Sequence, residues 1–235
     1  MGLPKPIRPE YSTTIPSTGK KIKYSPFTVR EEKVLVLAAE SGDTDEIANA
    51  ITNILHNCIV SPADFKVETL ALFDIEYLFL KARSKSAGES IELKITDPED
   101  PETEIPVKIN IDKIGVKKTE GHTNKVQIDD TTTVVLKYPD ISFFSEGVDV
   151  TTVASSLEVI TRCISQIVSG DEVFNKGDMT DAELTEWLES LSSGQYKNIT
   201  EFFMTSPKLS HVLNLKNPKT GREFSITLQG LADFF

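Results

Sequence analysis

The most apolar stretch of the chain is Leu70-Ala71-Leu72-Phe73-Asp74-Ile75-Glu76-Tyr77-Leu78-Phe79-Leu80, which only two carboxylates interrupt. Ser61 is a suitable helix N-cap, Pro62 suits the first helical position, and Gly88 is a natural stop. The pattern predicts a central helix over residues 62–88. A helix that is apolar on every side must be covered, and its charged residues favour protein over lipid as the cover. Its core residues are expected to include Leu70, Phe73, Tyr77 and Leu78.

The two carboxylates in this stretch raise the question of acid–base chemistry. Asp74 and Glu76 stand two positions apart, about 200° around a helix, so their side chains point to opposite sides and cannot share a proton. We therefore expect each to meet a Lys or Arg from a neighbouring element or to lie at the rim of the packed region, because a buried carboxylate must be paired or neutralised. A catalytic or ligand role is the alternative.

Composition indicates a globular chain that can bury a sizeable core. It has 235 residues, of which 39% are hydrophobic and 26% are charged. No apolar run approaches the roughly 20 residues that span a bilayer, so we expect no membrane insertion. The only cysteines, Cys58 and Cys163, lie on separate predicted helices, which argues against a disulfide framework and favours a cytosol-like compartment.

Charge is distributed unevenly along the chain. The net charge is −11, yet residues 1–30 carry one acidic side chain, Glu10, and several basic ones: Lys5, Arg8, Lys20, Lys21, Lys23 and Arg30. The rest of the chain is thus strongly acidic and repels nucleic acid and anionic membranes. A basic segment on an acidic body suggests docking onto its own body, a second copy or another acidic protein. A solvated tail is the alternative.

Periodicity divides the chain into five regions. Prolines in residues 1–27 favour an extended basic arm. Residues 28–91 form an N-terminal helical region, in which Thr28 with Glu31 makes a capping box. Residues 92–146 alternate as a β-hairpin that further strands extend into a small sheet. Residues 147–210 form a C-terminal helical region, including one apolar stripe from Val153 to Ile167. Residues 211–235 form a β-hairpin and an aromatic tail. The predicted fold is α+β, a mainly helical body around one buried central helix with two antiparallel hairpins.

No motif in the sequence indicates catalysis, a cofactor or a metal. His56, His122 and His211 have no fixed ligand spacing, and the Ser17-Thr18-Gly19-Lys20 turn resembles a phosphate loop only superficially. The carboxylates between Asp97 and Glu104 would suit calcium, but prolines interrupt them and the required Gly is missing. We expect a solvated acidic loop there. The residues favour binding or structure over enzymatic activity.

Three segments resemble the baseplate hub proteins of T-even-like contractile-tailed bacteriophages. They are residues 15–20 (IPSTGK), 24–35 (YSPFTVREEKVL) and 72–89 (LFDIEYLFLKARSKSAGE). The resemblance is specific for residues 11–95, about a third of the chain. That family includes hub subunits and a factor that promotes hub assembly without known enzymatic activity. The resemblance implies one of these roles and does not choose between them.

The resemblance implies a non-enzymatic structural protein of the tail baseplate hub that contacts other hub or tail proteins, with self-association as a further option. An assembly chaperone for hub or tape-measure proteins, absent from the mature virion, is the alternative, and a tail-tip cell-wall hydrolase is a third. The protein would occupy the host cytoplasm during assembly and the virion tail baseplate if retained. Both ends of the chain are predicted to contact partners, through Tyr11, Ile15, Lys20, Lys21, Lys23, Phe27, Leu231, Phe234 and Phe235.

Overall fold

The computed structural model describes residues 6–145 and 153–234, which form two compact units. Unit 1 comprises residues 6–117 and 208–234. Unit 2 comprises residues 118–145 and 153–207. Unit 1 is therefore assembled from two separate stretches of sequence, and unit 2 is encoded between them.

The helices and strands alternate in short blocks along the chain. The α-helices are α1 (Val29–Ser41), α2 (Thr44–Cys58), α3 (Leu72–Ser86), α4 (Ile141–Ser145), α5 (Val153–Cys163), α6 (Asp181–Ser190) and α7 (Ser193–Thr205). The strands are β1 (Tyr11–Thr14), β2 (Lys21–Tyr24), β3 (Ile59–Ser61), β4 (Ser90–Asp97), β5 (Asp100–Asn110), β6 (Gly115–Lys117), β7 (Lys125–Gln127), β8 (Thr132–Leu136), β9 (Ile164–Ser169), β10 (Glu172–Asn175), β11 (Lys208–Lys216) and β12 (Glu223–Gln229).

The strands form four antiparallel sheets, so the prediction of a mainly helical body is wrong. Unit 1 contains the sheets β1-β2-β3 and β12-β11-β6 and the hairpin β4-β5, and unit 2 contains the sheet β10-β9-β8-β7. The chain is a mixed α/β protein. Strand β8 pairs with β7 on one edge and with β9 on the other, so β7 and β8 do not extend the β4-β5 hairpin as predicted.

The apolar stripe that begins at Val153 was predicted as one helix, but α5 ends at Cys163 and β9 starts at the next residue. Strand β9 is hydrogen-bonded on both edges, to β8 and to β10. Its β-branched residues Ile164, Ile167 and Val168 fit a pleated surface well. Pairing with strands distant in sequence therefore outweighs the helical spacing at this point.

The central helix begins ten residues later than predicted. Helix α3 runs from Leu72, after Ala71 at its N-cap position, and the Ser61 cap and Pro62 start are wrong. Ser61 instead ends β3, which pairs with β2, and residues 67–69 form a short 3₁₀ turn. This turn buries Val67 completely. Tertiary pairing and burial thus replace the first turns of the predicted helix.

Helix α3 is buried along most of its length within unit 1. Ile75, Phe79 and Leu80 are at most 1% exposed, and the Phe79 ring stacks on Phe27 at 6.1 Å between centroids. On another side of α3, Leu80 belongs to a core to which strands of the β4-β5 and β11-β12 hairpins contribute. The other buried members of this core are Ile91, Ile109, Ile111, Ile114, Leu209, Leu213, Leu228 and Phe234.

Unit 2 has a core of its own. Helices α5, α6 and α7 contribute Ile160, Leu184, Leu188, Ile199 and Phe202. The sheet contributes Val126, Val134, Leu136, Ile164 and Ile167, and Ile128 follows directly after β7. The predicted capping box of α6 is confirmed, with Thr180 and Glu183 bonding reciprocally. This cap satisfies two of the backbone N–H groups that a helix leaves unpaired at its start.

The acidic segment from Asp97 to Glu104 is joined to the turn between β11 and β12 through Asp97 and Asp100, so the expectation of a solvated acidic loop is wrong for these two carboxylates. Glu99, Glu102 and Glu104 are exposed. Asp97 and Asn217 are fully buried, and Asn217 Nδ2 donates to Asp97 Oδ2 at 3.1 Å and to Asp100 Oδ2 at 3.2 Å. The Arg222 guanidinium donates to Asp97, and Arg222 Nη2 is 2.8 Å from Glu99 Oε1. The tips of the β4-β5 and β11-β12 hairpins are thereby joined through a polar network centred on the buried Asp97 and Asn217.

Candidate partner-binding groove

The N-terminal residues form an ordered hairpin rather than a free arm. Strands β1 and β2 pair in register from Tyr11 opposite Tyr24 to Thr14 opposite Lys21. The connecting turn is closed by a hydrogen bond from the Ile15 N–H to the Lys20 carbonyl at 2.9 Å. Gly19 has a φ of 71°, which a glycine adopts without strain.

Helix α3 holds this turn in place. The Ser17 backbone N–H donates to Asp74 Oδ1 at 2.9 Å, and the hydroxyls of Thr13 and Tyr77 are 2.9 Å apart. Asp74 is fully buried. A buried carboxylate requires hydrogen-bond donors, and the turn supplies one from its backbone. The side chain that interrupts the apolar helix therefore positions the hairpin turn.

Between the turn and the segment before α3 lies a groove of about 600 Å³. Ile15, Ile22 and Leu70 are its buried apolar residues. The rest of the lining is Ser17, Thr18, Lys20, Lys21, Pro62, Asp64, Phe65, Lys66 and Thr69. We call this site the hairpin groove.

The hairpin groove has a basic rim. Lys20, Lys21 and Lys66 are exposed, and Asp64 is the acidic residue in the lining. Within the described residues none of these three lysines forms an ion pair, whereas the adjacent Lys23 is 3.7 Å from Glu10. Unpaired lysines around an apolar base suit an extended segment that carries carboxylates and one or two apolar side chains.

The predicted N-terminal contact residues divide into two groups. Ile15 and Phe27 are buried in the core of unit 1, and Tyr11 is partly buried with its ring 5.8 Å from Tyr24. Lys20, Lys21 and Lys23 are exposed on or beside the groove. The lysines are therefore the members of this group that are accessible to a partner.

The predicted C-terminal contact residues pack largely on unit 1 itself. Phe234 is 1% exposed within the core that includes Leu80 and Leu228, and Leu231 packs against the same cluster. Phe235 lies outside the described residues. Of the predicted core residues, Leu70, Phe73 and Leu78 are buried and Tyr77 is partly buried.

Sequence reasoning missed Asp64, Phe65 and Lys66 as groove residues because it placed them in the first turns of the central helix. The Ser61-Pro62-Ala63-Asp64 run contains residues typical of turns as well as of helix starts. When this run is interpreted as a turn rather than as a helix start, it predicts an exposed loop here. Such a loop brings Lys66 towards the lysines of the hairpin.

The second carboxylate of α3 holds the other end of the described chain. Glu76 Oε1 accepts a hydrogen bond from the Leu231 N–H at 3.3 Å, so the predicted Lys or Arg partner is replaced by a backbone donor. A Cβ on Gly230 would come 3.1 Å from the same oxygen, so glycine allows this close approach. Burial raises the pKa of Glu76 to about 7. Asp74 and Glu76 thus contact different segments, as their spacing predicted.

Glu76→Gln is expected to remove a pH dependence of stability. Folded Glu76 keeps its proton up to about pH 7, while the unfolded side chain loses it near 4.5. Wild-type stability should therefore fall as pH rises between these values and stay level above them. Gln keeps the carbonyl acceptor without the charge, so the variant should gain about 2 kcal/mol at pH 8 and little at pH 4. Urea unfolding at both pH values measures this, and equal gains would contradict it.

The histidine and cysteine side chains are the remaining candidates for metal binding or nucleophilic chemistry. No three His, Cys, Asp or Glu side chains within residues 6–145 and 153–234 are grouped so that they could hold a metal ion. His122 lies 2.9 Å from the Thr205 hydroxyl and 3.0 Å from that of Tyr138. Burial raises the pKa of Cys58 to about 11 and that of Cys163 to about 12. Among the described helices, none has the length and hydropathy of a membrane span.

Comparison with known proteins identifies the family. A family model described as T4 bacteriophage base plate protein matches residues 8–235, almost the entire chain. No curated protein and no solved structure matched the chain. The match covers both units and every strand and helix described above. The chain therefore belongs to the T4 bacteriophage base plate protein family.

Proposed function

We propose that this baseplate protein is a non-enzymatic structural subunit of the baseplate hub that holds another hub or tail protein in its hairpin groove. The observation that carries the proposal is the family match over residues 8–235, which indicates a structural role in the phage tail. A structural subunit acts through its contacts with neighbouring proteins. The groove combines apolar side chains at its base with unpaired lysines at its rim.

The charge of the groove specifies the kind of partner. The chain has a net charge of −11, so a cluster of three exposed lysines differs in sign from most of its surface. Such a cluster attracts an acidic segment and orients it during encounter. Pro62, which is exposed, and Phe65, which is partly exposed, then supply apolar contact area that salt does not screen. We infer that the partner presents an extended acidic segment with an apolar anchor.

The double variant Lys20→Glu/Lys21→Glu is expected to reduce incorporation into baseplates at least tenfold. Reversing two charges replaces attraction with repulsion, and each lost charge pair at a partly desolvated contact is worth about 1 kcal/mol or more. The yield of infectious particles in a complementation assay, together with the amount of protein in purified baseplates, measures the effect.

A matched control is Lys117→Glu/Lys118→Glu, which makes the same change of charge at two adjacent exposed lysines outside the groove. It should assemble like the wild type. If both double variants assembled normally, the hairpin groove would not be the docking site. If both failed equally, total charge rather than the groove would control incorporation.

An assembly chaperone for hub or tape-measure proteins is the second candidate. The same groove serves that role if it releases the partner's acidic segment once the hub is complete. Mass spectrometry of purified mature virions distinguishes the two functions. Stoichiometric presence supports the structural subunit in the virion tail, and absence supports a chaperone that acts in the host cytoplasm.

A further inference from the structure

Helix α1 exposes most of its large aliphatic side chains and buries a small one. Ala38 is its buried residue, whereas Val29 is 66% exposed, Val36 is 50% exposed and Leu37 is 65% exposed. A helix that packs on a core normally shows the reverse arrangement. Because α1 contacts α2 through a narrow face around Ala38, its aliphatic face lacks cover within the described residues.

The exposed face of α1 has an ordered pattern. Val29, Lys33, Val36 and Glu40 follow one another at spacings of four, three and four residues, which places them in one stripe, with Leu37 beside it. A surface groove of about 450 Å³ is lined by Glu32, Lys33, Val36, Leu37 and Glu40. Along the stripe, the apolar centre is thus bounded by Lys33 towards the start of the helix and by Glu40 towards its end, and Glu32 lies beside Lys33 in the lining.

Both of these charges are available for a partner. In the part of the chain that the structure describes, neither Lys33 nor Glu40 forms an ion pair, and both are exposed. They lie seven residues apart, about two turns or 10 Å along the helix. This distance is too long for a direct pair within one helix but suits pairing with a second helix.

We propose that α1 is a self-association surface on which two copies of the chain pair through antiparallel α1 helices. A two-fold axis between Val36 and Leu37 brings Lys33 of each copy level with Glu40 of the other, so two ion pairs flank a central aliphatic contact. A parallel arrangement would place Lys33 against Lys33 and Glu40 against Glu40. The charges are therefore complementary to a second copy in one orientation.

This dimer is independent of the hairpin groove and goes beyond the proposed docking function. One helix face buries less than the roughly 800 Å² per partner of a standard stable interface. The dimer should therefore be weak in isolation, with a Kd of about 10–100 μM. High local concentration in an assembling structure increases its occupancy.

Charge exchange tests the proposal. Sedimentation equilibrium of the full chain from about 5 to 500 μM should show concentration-dependent dimerisation. Lys33→Glu and Glu40→Lys alone should each weaken it at least tenfold, because each places like charges opposite one another. The double variant Lys33→Glu/Glu40→Lys should recover wild-type association. An equimolar mixture of the two single variants should also associate, since their charges are then complementary.

Two controls keep the result interpretable. Lys118→Glu changes an exposed lysine outside α1 by the same amount and should leave association unchanged. Leu37→Asp should abolish association without altering the circular dichroism spectrum. A wild-type protein that stays monomeric throughout the concentration range, or a double variant that fails to recover, would overturn the proposal.

Discussion

Replacing Leu78 with aspartate is expected to lower the free energy of unfolding by about 3–5 kcal/mol. Leu78 is 3% exposed on α3. The N-terminal hairpin turn and the Leu231 backbone both hydrogen-bond to this helix. An aspartate there loses the apolar burial of leucine and brings a charge into a buried position, where its desolvation is costly. Thermal or urea unfolding, followed by circular dichroism, measures the loss.

Leu37→Asp is the matched control for this prediction, because it makes the same substitution at a helical position that is 65% exposed. It should cost only the difference in helix propensity, about 0.5 kcal/mol. A Leu78→Asp protein with the unfolding curve of the Leu37→Asp protein would show that α3 is not the buried centre of unit 1.

Asn217→Ala is expected to have the second largest effect, about 2–3 kcal/mol. Asn217 Oδ1 accepts from the backbone N–H groups of Lys219 at 2.8 Å and Thr220 at 3.0 Å, while its Nδ2 donates to two carboxylates. Alanine leaves the buried Asp97 with fewer donors, and a buried acceptor without its partner costs more than the bond contributed. Chemical denaturation at pH 7 gives the value.

The same variant should change the acid sensitivity of unit 1. The Glu99 backbone N–H, assisted by Asn217, holds the pKa of Asp97 below its usual value, and Thr103 with Asn217 does so for Asp100. A lowered carboxyl pKa contributes stability that is present above its unfolded value and lost as pH falls through the folded one. Asn217→Ala should therefore raise the pH of the acid transition. Ser225→Ala, at an exposed hydroxyl of β12, is the control.

Local patterns predicted the elements whose determinants are local. The capping boxes at Thr28 and Thr180 were confirmed, and the two predicted antiparallel hairpins are present as β4-β5 and β11-β12. These features depend on residues within a few positions of one another. The central apolar stretch was also correctly identified as a buried helix, because apolarity on every side admits few alternatives.

Features that depend on distant pairing were not predictable in this way. Ser61 reads as a helix cap, yet β3 is fixed by pairing with β2, which is almost 40 residues earlier. Ile164 continues a helical stripe, yet it begins β9, which pairs with β8 and β10. The hairpin groove combines the lysines of the N-terminal turn with Lys66, and a single sequence does not show that these residues meet.

The division of unit 1 into two stretches of sequence has a consequence for synthesis on the ribosome. Strand β6 pairs with β11, and Leu209, Leu228 and Phe234 complete the core around Leu80. Residues 6–117 emerge about 90 residues before these partners, a delay of about 5–20 s at ordinary elongation rates. Unit 2 is continuous in sequence and is complete first. During translation the apolar side of α3 therefore remains exposed until residues 208–234 have been synthesised. A nascent chain arrested before residue 208 should be a substrate for chaperones.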